Sequence, residues 1–301
     1  MPHPFFFILF LFGFILPSGS CQVQEPCPIP YHLDSPDQVL ELPDVLTEIS
    51  GIAFTPDFSE LVAVQDEVGI LFFLDSKTGE IKRQLDFWKS GDYEDLEFTD
   101  DGVLWVLKSN SKLYELKGWK SGEELQVNKH DGELDGEYDV EGLVWDDESG
   151  TLLLACKAIP AAALRKDDPQ RVVFAFAPVE EKCREQPVAE IRKSNLMQWI
   201  EENGMGENFE KYLEKTDSDE FLFGPSAIAK HPHTEHWYMS SARGNLLVVF
   251  DNQWEICQVE KLPGKVHTQP EGLAFDAEGN LYISNEGNEK KRGQILRFNI
   301  R

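Results

Sequence analysis

Apolar residues in this chain alternate with polar ones or run unbroken over about four to six positions, and turn residues bound each run. Residues 51–54, 61–64, 69–75 and 81–85 form one such set, joined by turns rich in Asp, Pro, Ser and Gly. Short runs bounded in this way predict β-strands, and four in succession predict an antiparallel meander. The set recurs at 95–98, 103–107, 112–116 and 124–127, then from Gly142 through 152–156, 172–176 and 188–191 with an insertion at 158–170. A fourth copy covers 227–229, 237–241, 245–250 and 254–259. A fifth, opening at Gln269-Pro270-Glu271-Gly272-Leu273, has only three strands before Arg301. Units of about 40–45 residues with four strands each are the length of a propeller blade.

Strand 38–42, stopped by Pro43, has no partner nearby in sequence, and the fifth copy lacks one strand. Pairing the two closes a ring and removes the exposed edges. The fold class predicted is therefore all-β, a single five-bladed β-propeller over 35–301, with six blades the alternative if 172–222 hides a degenerate unit. The one stretch with helical spacing is 194–221, between the third and fourth copies. Ser194 is placed to cap a helix bearing Leu196, Trp199 and Ile200, Gly204 interrupts it, and a second helix is expected over 208–214. This insertion is read as a buttress or a lid.

Charge changes the picture next. There are 54 acidic and 28 basic residues, a formal net charge of −26, which opposes binding to nucleic acid or anionic lipid heads and suits cations or neutral ligands. An acidic exterior that merely keeps the protein soluble is the plainer account. The N-terminus has an apolar run at 5–16, broken only by Gly13, and then Ser18-Gly19-Ser20-Cys21. It predicts an export signal over 1–20, with Cys21 as a lipid-carrying first mature residue and 21–34 as a polar tether. The n-region has no Lys or Arg, and simple cleavage or an uncleaved anchor are the alternatives. The expected location is thus the bacterial cell envelope, as a monomer touching the membrane only through that anchor, or else periplasmic or secreted. Four cysteines remain, enough for two disulfides; Cys156 with Cys183 is one candidate pair and buried free thiols are the alternative. Without CxxC or CxxH spacing, zinc has little support. His231, His233 and His236 share one turn, read as solvated, with a metal site as the alternative. Trp105, Trp145 and Trp237 are expected to pack between blades, with ligand stacking the alternative.

The first strand of each blade lines the axis of a propeller, so equivalent positions converge there. They are Ser50, Glu94, Glu141, Ser226 and Glu271, with a second tier of Glu48, Asp92, Asp139, Gly224 and Gln269. Crowded carboxylates must keep protons, find basic partners or bind a cation. Oxygen ligands of this kind select calcium; the alternative is that they cap neighbouring backbone N–H groups. Gln65, Asp66, Lys108, Lys157, Ser241, Arg243, Asn285 and Glu286 should face the same mouth as ligand-binding residues. No G-x-S-x-G, P-loop or dinucleotide motif occurs, so no catalytic residue is assigned.

The phrases Ser50-Gly51-Ile52-Ala53, Asp66-Glu67-Val68-Gly69, Tyr93-Glu94-Asp95-Leu96, Glu141-Gly142-Leu143, Gly224-Pro225-Ser226-Ala227 and Gln269-Pro270-Glu271-Gly272-Leu273 together resemble the SdiA-regulated family of bacterial envelope propellers. The resemblance covers about residues 35–301 and implies fold and compartment more than any reaction. There is a more distant likeness to calcium-dependent propeller hydrolases of the lactonase and phytase kinds. Three functions stay open: a small molecule or envelope protein bound at the acidic mouth, through calcium or not; a calcium-dependent hydrolase of an ester, lactone or phosphate ester; and a purely structural interaction platform.

Overall fold

The computed structural model describes Cys27, residues 29–134, 136–206, Phe209 and residues 221–301. The export segment, Cys21 and nearly all of the second expected helix lie outside these residues. In chain order the strands are β1 (Gln38–Glu41), then β2 (Ile49–Phe54), β3 (Leu61–Gln65), β4 (Ile70–Leu74) and β5 (Ile81–Asp86) as blade 1. Blade 2 is β6 (Tyr93–Phe98), β7 (Leu104–Lys108), β8 (Lys112–Lys117) and β9 (Gln126–Asp131). Blade 3 is β10 (Val140–Asp146), β11 (Thr151–Cys156), β12 (Gln170–Ala177), β13 (Lys182–Cys183) and β14 (Ala189–Arg192); α1 (Lys193–Glu202) follows it. Blade 4 is β15 (Ala227–Lys230), β16 (Trp237–Ser241), β17 (Leu246–Phe250) and β18 (Ile256–Lys261). Blade 5 is β19 (Pro270–Phe275), β20 (Leu281–Asn285), β21 (Gln294–Phe298) and β1.

The expected closure is present: β1 runs antiparallel to β21, with Leu40 opposite Ile295 and Glu41 opposite Gln294. The innermost strands β2, β6, β10, β15 and β19 touch one another in a closed ring. Five blades complete it, and no sixth occurs among the described residues.

Middle strands are apolar on both faces because each is covered by a neighbouring blade, so β3 and β17 are buried throughout. Outer strands are covered on one side only, and β5 alternates half-buried with exposed positions. The core accordingly divides into five clusters, one between each pair of adjacent blades. Val62, Phe73, Leu96 and Val106 sit between blades 1 and 2, for example, and Leu40, Phe72, Ala274 and Ile295 join blade 5 to blade 1. Turn aspartates account for part of the acid excess. Asp75 Oδ1 accepts the Lys77 and Thr78 amides, and Asp251 Oδ1 accepts those of Gln253 and Glu255.

Two local expectations are corrected. Ser194 does not cap α1; it lies inside the first turn, where its amide and hydroxyl both donate to Asp168, at 3.0 and 2.9 Å. A carboxylate from the 158–170 insertion thus serves a helix N-terminus far away in sequence. In blade 3 the outer position is shared, since β13 and β14 pair with opposite ends of β12. The helix is a buttress: Leu196 and Ile200 are buried in the core between blades 3 and 4. Cys156 and Cys183 are free thiols, with Cys156 fully buried.

Candidate functional site

The axial acids owe their position to a backbone irregularity. Pairing between the first two strands slips in four blades, between Ile49 and Ile52, Tyr93 and Asp95, Val140 and Gly142, and Pro270 and Gly272. Such a bulge leaves a residue out of the ladder and re-aims its side chain. The residues caught in the slips are Ser50 with Gly51, Glu94, Glu141 and Glu271. Blade 4 pairs without a slip. Close approach of the inner strands accompanies this: a Cβ on Gly272 would lie 2.7 Å from the Ser50 carbonyl oxygen.

Glu94, Glu141 and Glu271 share one electrostatic environment. Burial raises the Glu94 carboxyl to about 9, with Glu141, Asp92 and Glu271 adding repulsion. Burial also raises Glu141 to about 8, against the pull of Lys157, while Glu271 and Asp139 push upward. Glu271 reaches about 7, again chiefly by burial. Lys157 donates to Glu141 Oε1. Burial works against its ammonium, but Glu141, Glu271 and Asp139 outweigh that and raise its pKa. One cation therefore stays charged among three carboxyls without making them all acidic, because desolvation exceeds what it returns.

The remaining mouth residues divide by what they touch. Burial, with repulsion from Glu48, Glu67 and Asp92, raises Asp66 to about 6, and Asp66 in turn pushes Glu271 and Glu286 upward. Glu286 is raised for the same reasons and accepts a hydrogen bond from Gln269. Asp92 accepts the Ser109 hydroxyl, and Glu48 is exposed beside Asp66. Asn285 is 1% exposed, and neither atom of its amide has a partner; Glu141 Oε2 and Asp66 Oδ1 are likewise buried and unpartnered.

Other predicted residues serve the scaffold. Gln65 accepts the Glu67 and Val68 amides, shaping the loop after β3. Ser226 donates across blades to the Pro270 carbonyl at 2.7 Å, and Ser241 donates to the Arg243 carbonyl and accepts the Gly224 amide. Lys108 lies over the Tyr93 ring at 5.2 Å, and Arg243 is exposed in the turn after β16.

Two features escaped sequence reasoning. Asp95 stands where the other copies have Gly51, Gly142, Ala227 and Gly272, and is 3% exposed. Its carboxylate accepts the Leu96 amide at 2.9 Å and the Leu143 amide of the next blade at 2.8 Å. The odd residue in the repeat column was the available signal. At the other end of the inner strands, a cavity of about 420 Å³ is ringed by Phe54, Phe98, Trp145, Lys230 and Phe275. Glu97 sits in its wall, accepts the Phe98 amide and is raised to about 7 by burial. Trp145 faces this cavity, donates to Asp100 and packs against the core between blades 2 and 3, where Trp105 meets Phe176 of the next blade. Trp237 stacks on Trp254 and lies in the core between blades 3 and 4. Of the histidine turn, His231 is buried, not solvated.

A family model described as SdiA-regulated matches residues 31–162 and 182–289. No curated protein matches the chain. Among solved structures, glutaminyl cyclase from Myxococcus xanthus is similar with a TM-score of 0.53 at 11% identity, covering 88% of this chain and 95% of that one. A luciferin-regenerating enzyme gives 0.50 at 12% identity, covering 88% and 95%. At these identities the likeness concerns the fold alone.

Proposed function

The chain belongs to the SdiA-regulated family, and from that premise we propose that this propeller binds a calcium ion at its acidic axial mouth, as the docking point for a ligand or partner. The observation that carries this reading is the unpartnered oxygen of Glu141, buried beside Glu94 and Glu271. Buried polar atoms without partners cost free energy unless something joins them. Glu94, Glu141 and Glu271 would hold the ion, with Asp66 and the Asn285 oxygen further out; this donor set is all oxygen and suits a hard cation. Without an ion Glu94 and Glu141 keep their protons near neutral pH and Glu271 is about half protonated, so binding is an exchange of protons for a cation.

The hydrolase reading has less support. It needs a lysine to steady a developing anion, and Lys157 is engaged by Glu141 while Lys108 lies over Tyr93. Export and lipidation at Cys21 are part of the proposal and rest on the apolar run 5–16 and the Ser-Gly-Ser-Cys sequence. Fatty-acid labelling lost in Cys21→Ser tests them. For the ion, calorimetric titration of chelator-treated protein with calcium should give one site, and Glu141→Gln should weaken it by tenfold or more, roughly the loss of one charged ligand. Absence of heat in the wild type, together with no rise in melting temperature, would leave the carboxyls as structural groups only.

A further inference from the structure

The segment before β1 lies across blades 4 and 5 and is fastened repeatedly. Tyr31 Oη donates to the Gly279 carbonyl at 2.6 Å, His267 Nε2 lies 2.7 Å from the Leu33 carbonyl, and the Arg301 amide donates to the Pro30 carbonyl at 3.0 Å. Cys27, at its start, rests beside His236 from the turn between β15 and β16 and Cys257 on β18. Cys27 Sγ is 3.9 Å from His236 Nε2, and the ligand atoms of all three residues lie within 4.8 Å of one another. Neither cysteine is in a disulfide.

We propose that Cys27, His236 and Cys257 form a zinc site that clamps the N-terminal segment onto blade 4. Zinc bonds of about 2.3 Å to sulfur and about 2.0–2.1 Å to nitrogen separate neighbouring tetrahedral ligands by roughly 3.5–3.8 Å. The observed 3.9 Å is close to that spacing, and the cysteines are unjoined where a disulfide would bring the sulfurs to about 2.05 Å. Thiolate and imidazole ligands select zinc over the hard ions suited to the oxygen-lined axis. Two thiols give up their protons as the dication enters, so the four charges balance. Cys27 and His236 are half-exposed, which leaves the fourth position on the solvent side. The turn bearing His236 is pre-set: His231 Nδ1 accepts the His233 and Thr234 amides, both at 3.2 Å, which directs its Nε2–H to Tyr31 Oη at 3.1 Å. That neutral histidine couples the ligand-bearing turn to the segment being clamped. The three ligands come from positions far apart in sequence, so only the folded chain assembles the site and bound zinc stabilises it.

The test uses the full chain, reduced and freed of metal. Zinc titration should show one ion per chain with a higher melting temperature, and Co²⁺ should give thiolate charge-transfer absorption. Cys27→Ser and His236→Ala should each diminish or shift that absorption and weaken zinc by about tenfold or more; Glu141→Gln should leave both unchanged. Cys27→Ser alters a half-exposed residue and guards against a variant that simply fails to fold. The proposal is overturned by absence of the Co²⁺–thiolate band in the reduced wild type. It is equally overturned by unchanged zinc affinity in Cys27→Ser, or by a Cys27–Cys257 disulfide with no metal in protein isolated without reductant.

Discussion

A Cβ on Gly51 would lie 2.3 Å from Asp95 Oδ1 and 2.5 Å from the Asp95 Cα. The side chain that blade 1 omits is the space that blade 2 fills with a carboxylate, and that carboxylate then reaches blade 3 through the Leu143 amide. Gly51→Ala should therefore lose about 1–3 kcal/mol, the usual cost of overpacking, as a shifted denaturation midpoint. Adding Asp95→Gly removes the Oδ1 contact but not the backbone one, so the double variant should stay less stable than Asp95→Gly alone. Equal stability of those two would show that the inner strands can separate freely.

Asp95 itself acts as an acceptor for two amides, one on each oxygen. Burial pushes its carboxyl well above the usual range, and the two amides oppose that. Asp95→Ala leaves both amides unmet, worth about 1–3 kcal/mol net. Asp95→Asn should also destabilise, because its NH₂ must face one of the donors. An Asn variant as stable as the wild type in urea would contradict the two-amide role.

The axial carboxyls predict an unusual pH dependence. Glu94, Glu141 and Glu271 sit at about 9, 8 and 7, against an ordinary 4.5, so the folded protein holds protons that the unfolded chain has released. Their contribution to stability is whole below the unfolded value and is lost as pH rises through about 7 to 9. Metal-free protein should thus weaken progressively from about pH 5 to about pH 9, and Glu94→Gln should flatten that slope. Calcium affinity should climb over the same window, since the ion competes with protons. A flat profile in chelator, measured by denaturation at several pH values, would mean the three carboxyls are ionised throughout.

Closure through β1 predicts a fourth outcome. Leu40 is 2% exposed and lies opposite Ile295. Leu40→Asp removes apolar burial worth about 2–5 kcal/mol and puts a carboxylate in the core joining blades 5 and 1. The strand should detach and expose the β21 edge, with light scattering rising well below the wild-type melting temperature. Unchanged melting and scattering would mean that β1 is dispensable.

The repeat, the five blades and the ring closure were legible in the sequence, because strand periodicity and turn chemistry are local and each blade repeats them. The column of Gly51, Asp95, Gly142, Ala227 and Gly272 even held the exception that pins blades 2 and 3. Tertiary structure alone decided which mouth residues meet. Lys157 entered the carboxyl cluster while Lys108 lay over Tyr93, and Ser226 turned into a neighbouring blade, since side-chain direction depends on bulges and on the next blade's backbone. It alone set Asp168 at the start of α1 and brought Cys27, His236 and Cys257 together. Those contacts join segments with no common period, and only folding sets the distances on which their chemistry depends.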